Sequence, residues 1–293
     1  MNPELSIIVP AYKEQKNIQN TIEQLQKYFE KWIYKTEIIV IVDGCEDTWK
    51  VAKNLGNDFT KIYFYNPNQG KGYALKFGVT KAKGNYTVFF DAGMDFPIDN
   101  ILLIFYTLKV TVFPIVIGSK RNRASRLRYP WQRRFLSLSG QLLTKTLFNL
   151  GVSDTQVGIK GFKTDKIQFI MQKMLVKRFA FDIELLAIAK QYRYRITEVP
   201  VRMMYNDISS SINPKAVINV LVDVMAIFYR IRIGYYKRDT SQNYEENLVS
   251  NLTAIKYSEI EIFNKKSDKT HSNTSNKSSK NTKNKYKIKN KKK

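Results

Sequence analysis

The chain has 293 residues, 43% of them hydrophobic, enough to bury a sizeable core in one large domain or two modest ones. Its formal net charge is +24, and it holds one histidine and one cysteine. With only His271 and Cys45, most zinc sites, an internal disulfide and a Ser-His-Asp triad are excluded; any chemistry falls to carboxylates, lysines, arginines, hydroxyls or a bound cation. The lone cysteine fits a reducing compartment.

LSIIVPAY (5–12) reads as a strand, and the residues before it lack the basic region of a signal peptide. A helical pattern over 17–32 leads to the strand TEIIVIVD (36–43). Helix 48–56 follows, with Asp47 placed to cap it, then strand 61–66 and helix 72–84. NYTVFFD (85–91) is a strand, 100–109 a helix and FPIVIGS (113–119) a strand. This alternation predicts a mostly parallel sheet with right-handed crossovers, and nearly continuous apolar strands predict cover on both faces. Ligands of such sheets sit at the carboxyl ends of the strands, where Tyr12, Asp43 and Asp91 fall.

Beyond 119 the pattern changes. An arginine-rich connection (120–134) enters a long helix over about 131–150. A turn at Gly151, DTQVGIKGF (154–162), a helix over 181–192 and ITEVPVRM (196–203) come next. The apolar run 217–236 carries Asp223, Arg230 and Arg232, so it reads as an amphipathic helix, not a span. It presents Val217, Leu221, Val224, Ile227, Phe228 and Ile231 at helical spacing, with Arg230, Arg232, Lys237 and Arg238 near its end, a pattern suited to an anionic headgroup layer. From residue 240 the chain is rich in Asn, Lys and Ser; 264–293 hold twelve lysines against one aspartate. Such a composition predicts disorder, giving a folded domain over 1–236, with its closing helix at 214–236, and a basic tail over 237–293.

The turn after the first strand, PAYKEQKN, has no glycine, which argues against a dinucleotide fold, and no Walker A sequence occurs. Eight motifs stand in order instead: IIVPAYKE, VDGCEDT, NQGKG, FFDAGMD, the GSKR segment, DTQVGIKGF, FDIELL and EVPV. In this order they resemble a family 2 glycosyltransferase of the GT-A fold, and within it the dolichyl- or polyprenyl-phosphate hexose synthases. The resemblance covers residues 4–236.

The resemblance implies a nucleotide-sugar donor held by Pro10, Tyr12, Glu14, Asp43, Lys71 and Asp91. It implies a Mg²⁺ or Mn²⁺ ion that steadies the leaving diphosphate, held by one or two carboxylates together with the phosphates. The common family form is D-x-D followed two residues on by Gln; here Gly93 takes the second acid's place and Asp95 the glutamine's, so Asp91 and Asp95 become the metal pair. The alternative has Asp95 capping a turn before Pro97. A polyprenyl-phosphate acceptor is implied at Lys120 or Arg121 and at Arg133 or Arg134, with Ser137 and Gln156 nearby; Arg121 and Arg134 join Asp91 and Asp95 as the catalytic set. Arginine's planar fork suits phosphate. Asp154 and Thr155 join Gln156 in the floor of the site, and Lys160 is structural.

The activity so implied is inverting hexosyl transfer at the cytoplasmic membrane face, by a peripheral protein attached to an anionic surface or to a membrane-protein partner. A family 2 enzyme acting on a glycan or lipid hydroxyl is the alternative, with Asp182 or Glu184 as base. The charge raises a nucleic-acid-binding reading, but the folded part shows no base-reading module, so no specific nucleic acid is expected.

Overall fold

A computed structural model describes residues 2–119, 147–178, 180–204 and 214–237. The arginine run, Lys120, Arg121, Arg133, Arg134 and Ser137, most of the expected helix over 131–150 and the basic tail lie outside the described residues.

Seven strands form one sheet in the order β3-β2-β1-β4-β6-β5-β7. β1 (Leu5–Ala11), β2 (Thr36–Asp43), β3 (Thr60–Tyr65) and β4 (Tyr86–Phe89) are mutually parallel. Every residue of β1 is buried, as its unbroken apolar run requires of a strand covered on both faces. Between these strands lie α1 (Ile18–Phe29), α2 (Glu46–Ala52), α3 (Lys71–Lys81) and α4 (Asp99–Val110). α1 buries Ile18, Ile22, Leu25 and Phe29, a stripe at helical spacing that packs into the main core. Ring contacts among Trp32, Tyr34, Phe105 and Tyr106 close that core's lower edge.

β5 (Ile115–Ser119) begins two residues later than the sequence pattern suggests. Between it and β4 an additional strand is inserted, β6 (Lys160–Lys163), antiparallel to both neighbours. Its four residues, KGFK, carry no β-propensity signal beyond Phe162, so the sequence pattern hides it. Gly161 is required there, because a Cβ would collide with the Ile104 side chain of α4. α5 (Thr164–Lys173) follows, also unannounced, and is tied back by a 2.9 Å hydroxyl contact between Thr87 and Thr164. α6 (Phe181–Gln191) is wholly buried from Phe181 to Ala189, and β7 (Ile196–Pro200) pairs in parallel with β5. α7 (Pro214–Arg232) and a short 3₁₀ turn (Tyr235–Lys237) end the described chain.

One capping expectation is corrected. α2 starts two residues earlier than expected, its N-cap position is Cys45, and Asp47 lies inside the first turn. There Asp47 complements the helix dipole and pairs with Lys50 at 3.1 Å.

Candidate active site

The carboxyl ends of β1, β2 and β4 bring the N-terminal motifs to one edge of the sheet. Asp91 stands two residues past β4. The turn that carries it is fixed by Met94 N–H donating to Asp91 O at 3.1 Å and by the Thr21 hydroxyl donating to Ala92 O at 2.7 Å. Met94 takes φ 53°, which turns the chain so that Asp95 follows on the same ridge. The Met204 N–H donates to Asp95 O at 2.9 Å, so the segment after β7 braces this ridge from the other side.

Lys71 is the first residue of α3, and its Nζ lies 2.6 Å from Asp91 Oδ1, with both side chains partly open to solvent. Burial works to lower the lysine's pKa, but Asp91, Asp182 and Asp95 outweigh it and hold the ammonium above its ordinary value. The expected phosphate-seeking lysine thus sits against the expected metal ligand at a helix N-terminus, where the dipole also favours anions. Gly70 before it adopts φ 101°, and a Cβ there would strike the Lys177 carbonyl, so the loop needs glycine at this point.

Two further carboxylates border the ridge. A Cβ placed on Gly93 would lie 3.7 Å from Asp95 Oδ1 and 3.9 Å from Glu14 Oε1. Glu14 is fixed by its backbone N–H donating to the Thr48 hydroxyl and by Asn17 Nδ2 donating to Oε2 at 2.8 Å. Gly158, in the DTQVGIKGF motif, backs Asp91 so closely that any Cβ would collide with its Oδ2. Behind it Lys160, only 1% exposed, donates to Val157 O and pairs with Asp182 Oδ1 at 2.6 Å. Burial raises the Asp182 pKa, opposed by Lys160 and Lys71. Cations and carboxylates therefore alternate, Lys160–Asp182 and then Lys71–Asp91, from the core to the site.

Other expected residues take different places. Tyr12 is 46% exposed just past β1, with Lys13 Nζ 5.3 Å from its ring centroid, leaving a face on which a base can stack. Pro10 is a buried member of β1 opposite Ile41. Asp43 is 2% exposed, and its carboxylate accepts from Gln69 N–H at 2.7 Å, Gly70 N–H at 2.8 Å and Asn68 Nδ2 at 2.9 Å. It holds the NQG loop in place from beneath. Gln156 is exposed, with its N–H donating to Asp154 Oδ1. Glu198 of EVPV accepts from the N–H and hydroxyl of Ser153 and so anchors the 153–154 loop. Sequence reasoning missed the parts played by Gly158 and Glu198, and gave Lys160 a structural place without naming its partner Asp182. The signal for Gly158 was the G-I-K-G segment that leads into Phe162.

Glu184 is fully buried. It accepts from the Leu175 and Val176 N–H groups and from the Tyr236 hydroxyl at 2.6 Å, and Arg230 Nη1 lies 3.5 Å away. Burial raises its pKa against these four partners. The arrangement clasps α6 to the end of α7 and seals Glu184 away from any acceptor.

Do the residues suit a divalent ion? Asp91 and Asp95 provide the one or two carboxylates such an ion takes when substrate phosphates complete its shell. Among the described residues no group of three or more His, Cys, Asp or Glu side chains is arranged to hold a metal by itself. The set fits a cation shared with a diphosphate and does not fit a protein-only cage.

The model of glycosyl transferase family 2 matches residues 6–170. A dolichyl-phosphate beta-glucosyltransferase of Trichomonas vaginalis is 30% identical over 246 residues, covering 78% of this chain and 75% of its own. The Dictyostelium discoideum dolichyl-phosphate beta-glucosyltransferase is 28% identical over 253 residues, covering 80% and 76%. Among solved structures, glucosyl-3-phosphoglycerate synthase from Mycobacterium tuberculosis, crystallised with uridine diphosphate, superposes with a TM-score of 0.60 at 15% identity over 82% of each chain, a likeness of fold. Sheet order, the ridge carrying Asp91 and Asp95, and these matches agree: the chain has the GT-A fold, belongs to glycosyl transferase family 2 and is a glycosyltransferase.

Proposed function

We propose that the protein transfers glucose from a uridine-diphosphate donor to a polyprenyl phosphate, with inversion at the anomeric carbon, as a peripheral enzyme at the cytoplasmic face of a membrane. The observation that carries this reading is the Lys71–Asp91 pair beside Asp95, in a chain 30% identical to a dolichyl-phosphate beta-glucosyltransferase over most of its length. Relatives in fold add support: the M. tuberculosis synthase has been crystallised with Mn²⁺ and UDP-glucose.

In this reading Tyr12 stacks on the base, and Glu14 lies within reach of the ribose. Asp43 acts on the donor indirectly, by fixing the 68–70 loop through its three accepted hydrogen bonds. Lys71 approaches the diphosphate, exchanging part of its contact with Asp91 for the phosphate oxygens. Asp91 and Asp95 hold Mg²⁺ or Mn²⁺, which when bound neutralises the charge that grows on the departing diphosphate. The arginines of the 120–134 run, Arg121 and Arg134 foremost, orient the acceptor phosphate, with Gln156 at the edge of its path.

The acceptor phosphate needs no general base, since its second pKa is about 6 and it is ionised at neutral pH. The burial of Glu184 and the pairing of Asp182 with Lys160 favour this over a hydroxyl acceptor, for which one of those acids would have to be free. A single in-line displacement then inverts the anomeric centre. Among the described residues no helix is long and apolar enough to cross a membrane, which is compatible with a peripheral attachment.

The test is transfer from radiolabelled UDP-glucose, UDP-galactose and GDP-mannose to a polyprenyl phosphate, with Mg²⁺, Mn²⁺ or EDTA. A chloroform-soluble β-linked glucosyl product, lost in EDTA, is expected. Transfer to a glycan hydroxyl with none to the lipid phosphate overturns the acceptor, and full activity in EDTA overturns the cation. Arg134→Ala is expected to raise KM for the lipid about tenfold or more and leave that for the donor, because a hydrogen bond to a charged group is worth about 1.5–3 kcal/mol.

A further inference from the structure

α7 is apolar on two opposite sides, and only one of them is used by the domain. Val224 and Ile227 are buried, Phe228 packs edge-on to Phe148, and Gln191 Nε2 donates to Ile231 O. The Glu184 clasp on Arg230 and Tyr236 fixes the helix's rotation. Opposite that docked side, Ile218, Leu221, Val222, Met225, Tyr229 and Ile233 are between 43% and 64% exposed. At about 100° per residue these six fall within an arc of roughly 120°. The docked helix cannot roll to bury them. This differs from the sequence expectation, which drew Val224 and Ile227 into the outward stripe.

Charge around the stripe is mainly positive among the described residues. Arg232 lies within the same arc and Lys237 is exposed just beyond it. The one acid between residues 218 and 237, Asp223, is partly buried and feels Arg178 and Arg230. Beside the helix, a cavity of about 240 Å³ between α7 and residues 175–178 is bordered by Lys177, Arg178 and Arg230, three cations against the one acid, Asp223. It opens next to the 68–70 loop, where Lys177 Nζ reaches Gln69 Oε1 at 3.4 Å. A contiguous apolar stripe rimmed by cations matches an anionic bilayer: apolar side chains enter the acyl boundary and the cations meet headgroup phosphates.

We infer that the outward face of α7, from Ile218 to Ile233, is the surface by which the protein lies on an anionic phospholipid membrane, with lipid phosphates drawn to the Lys177–Arg178–Arg230 edge. The inference deepens the lipid-phosphate reading above by naming the side of the molecule that faces the bilayer. It sets the 68–70 loop, with Lys71 at the start of α3 after it, next to the membrane-facing edge, so a lipid-borne phosphate can approach the donor without leaving the bilayer.

The experiment is flotation of the full chain on phosphatidylcholine vesicles with and without phosphatidylglycerol, compared with the double variant Met225→Glu, Tyr229→Glu. Both positions are solvent-facing, so an unchanged melting temperature is expected, and the basic tail is retained, which isolates the stripe. The expected result is binding to the phosphatidylglycerol vesicles that falls roughly tenfold or more in the variant, as apolar anchoring predicts. Transfer to a detergent-solubilised short polyprenyl phosphate is expected to stay the same in both. Wild-type binding that the variant matches overturns the proposal, as does equal binding with and without phosphatidylglycerol. Self-association of the wild type that the variant abolishes, without flotation, assigns the stripe to a second copy and overturns it as well. If the wild type floats as expected but transfers sugar to no lipid phosphate, the functional reading fails and the membrane face stands.

Discussion

The sheet has two halves that manage charge in opposite ways. From β1 to β4 the strands are parallel and largely apolar, with Glu37 near the start of β2 and further acids at or past the strand ends, at Asp43, Asp91 and Asp95. Between β6 and α6 three charged groups are inside: Lys160 and Asp182 pair in the core, and Glu184 lies wholly buried under Tyr236. The first half sets Lys71 and Asp91 at a partly open edge while Asp43 holds the 68–70 loop, whereas the second half buries its charge behind that edge. The Lys160–Asp182 pair and Gly158 meet Asp91 from behind, so the proposed reacting edge is shaped by both halves.

The sharpest way to break this division is at Asp91. Asp91→Asn removes a carboxylate from the displayed edge and leaves Lys71 with a neutral partner. Loss of about 10²–10³-fold or more in kcat is expected, the range seen when one preorganised electrostatic contact to a developing charge is lost. Asp95→Asn is expected to follow with a smaller loss. Both are read by transfer at saturating donor, with melting temperature as control. A variant at Asp91 that keeps wild-type activity ends the claim that this edge carries the chemistry.

The bracing half answers in stability. Lys160→Met leaves Asp182 buried without its partner, an imbalance that costs about 3–5 kcal/mol when one member of a buried pair is removed. A fall in melting temperature on the order of 10 °C follows for a domain of this size. Adding Asp182→Asn to Lys160→Met removes the orphaned charge and is expected to recover much of the loss. If the double variant melts no higher than the single one, Lys160 is supporting the fold through its Val157 contact and not through Asp182.

This contrast explains what the sequence made legible. The parallel half was readable because long Val/Ile runs alternate with amphipathic helices, and the pattern itself encodes burial on both faces. Asp91 could be placed because it follows one of those runs, and Lys71 because the NQGKG loop enters a helix there. The other half hid β6, since four residues with lysines at both ends have no strand period, and Lys160 is buried for its partner and not for its own hydrophobicity. Asp43 was placed correctly at a strand end, but no sequence feature shows a carboxylate already committed to three loop donors. Likewise α7 was legible as amphipathic, while which of its two apolar sides meets the domain is decided by Glu184, far away in the chain.

A bridge between the halves gives a smaller effect. Lys76 of α3 donates to the Met174 carbonyl at 2.8 Å, and burial, with Lys177 adding to it, depresses its pKa to about 8 although Glu184 opposes the shift. A lysine so depressed costs the folded state most below pH 8, where it is charged in both states. Between pH 8 and about 10.5 the unfolded chain binds more protons, so the cost is relieved as pH rises. Lys76→Met is therefore expected to be the more stable protein at pH 7 by on the order of 1 kcal/mol, after allowing for the lost hydrogen bond, with the gap closing toward pH 10. Urea unfolding across this range measures it. A gap that widens with pH reverses the sign and rejects the buried-lysine account.

The smallest effect is expected at Gly93, and it tests the displayed edge most finely. Among the described residues a Cβ there would meet Asp95 Oδ1 at 3.7 Å and Glu14 Oε1 at 3.9 Å, ordinary contact distances, so an aspartate fits beside them. What it adds is charge. A fourth carboxylate among Asp91, Asp95 and Glu14 is repelled when no cation is present and compensated when one is bound. Gly93→Asp is therefore expected to leave kcat within about threefold of the wild type at saturating Mn²⁺, a barrier change below about 1 kcal/mol. The Mn²⁺ concentration for half-maximal activity is expected to fall, and the variant without metal to melt slightly lower. Loss of activity beyond about tenfold that added Mn²⁺ cannot restore, on the same scale of about 1.4 kcal/mol per tenfold, means the donor needs the space that glycine leaves. The chain would then hold its cation with Asp91 and Asp95 because a substrate group, and not a missing acid, occupies the gap between them.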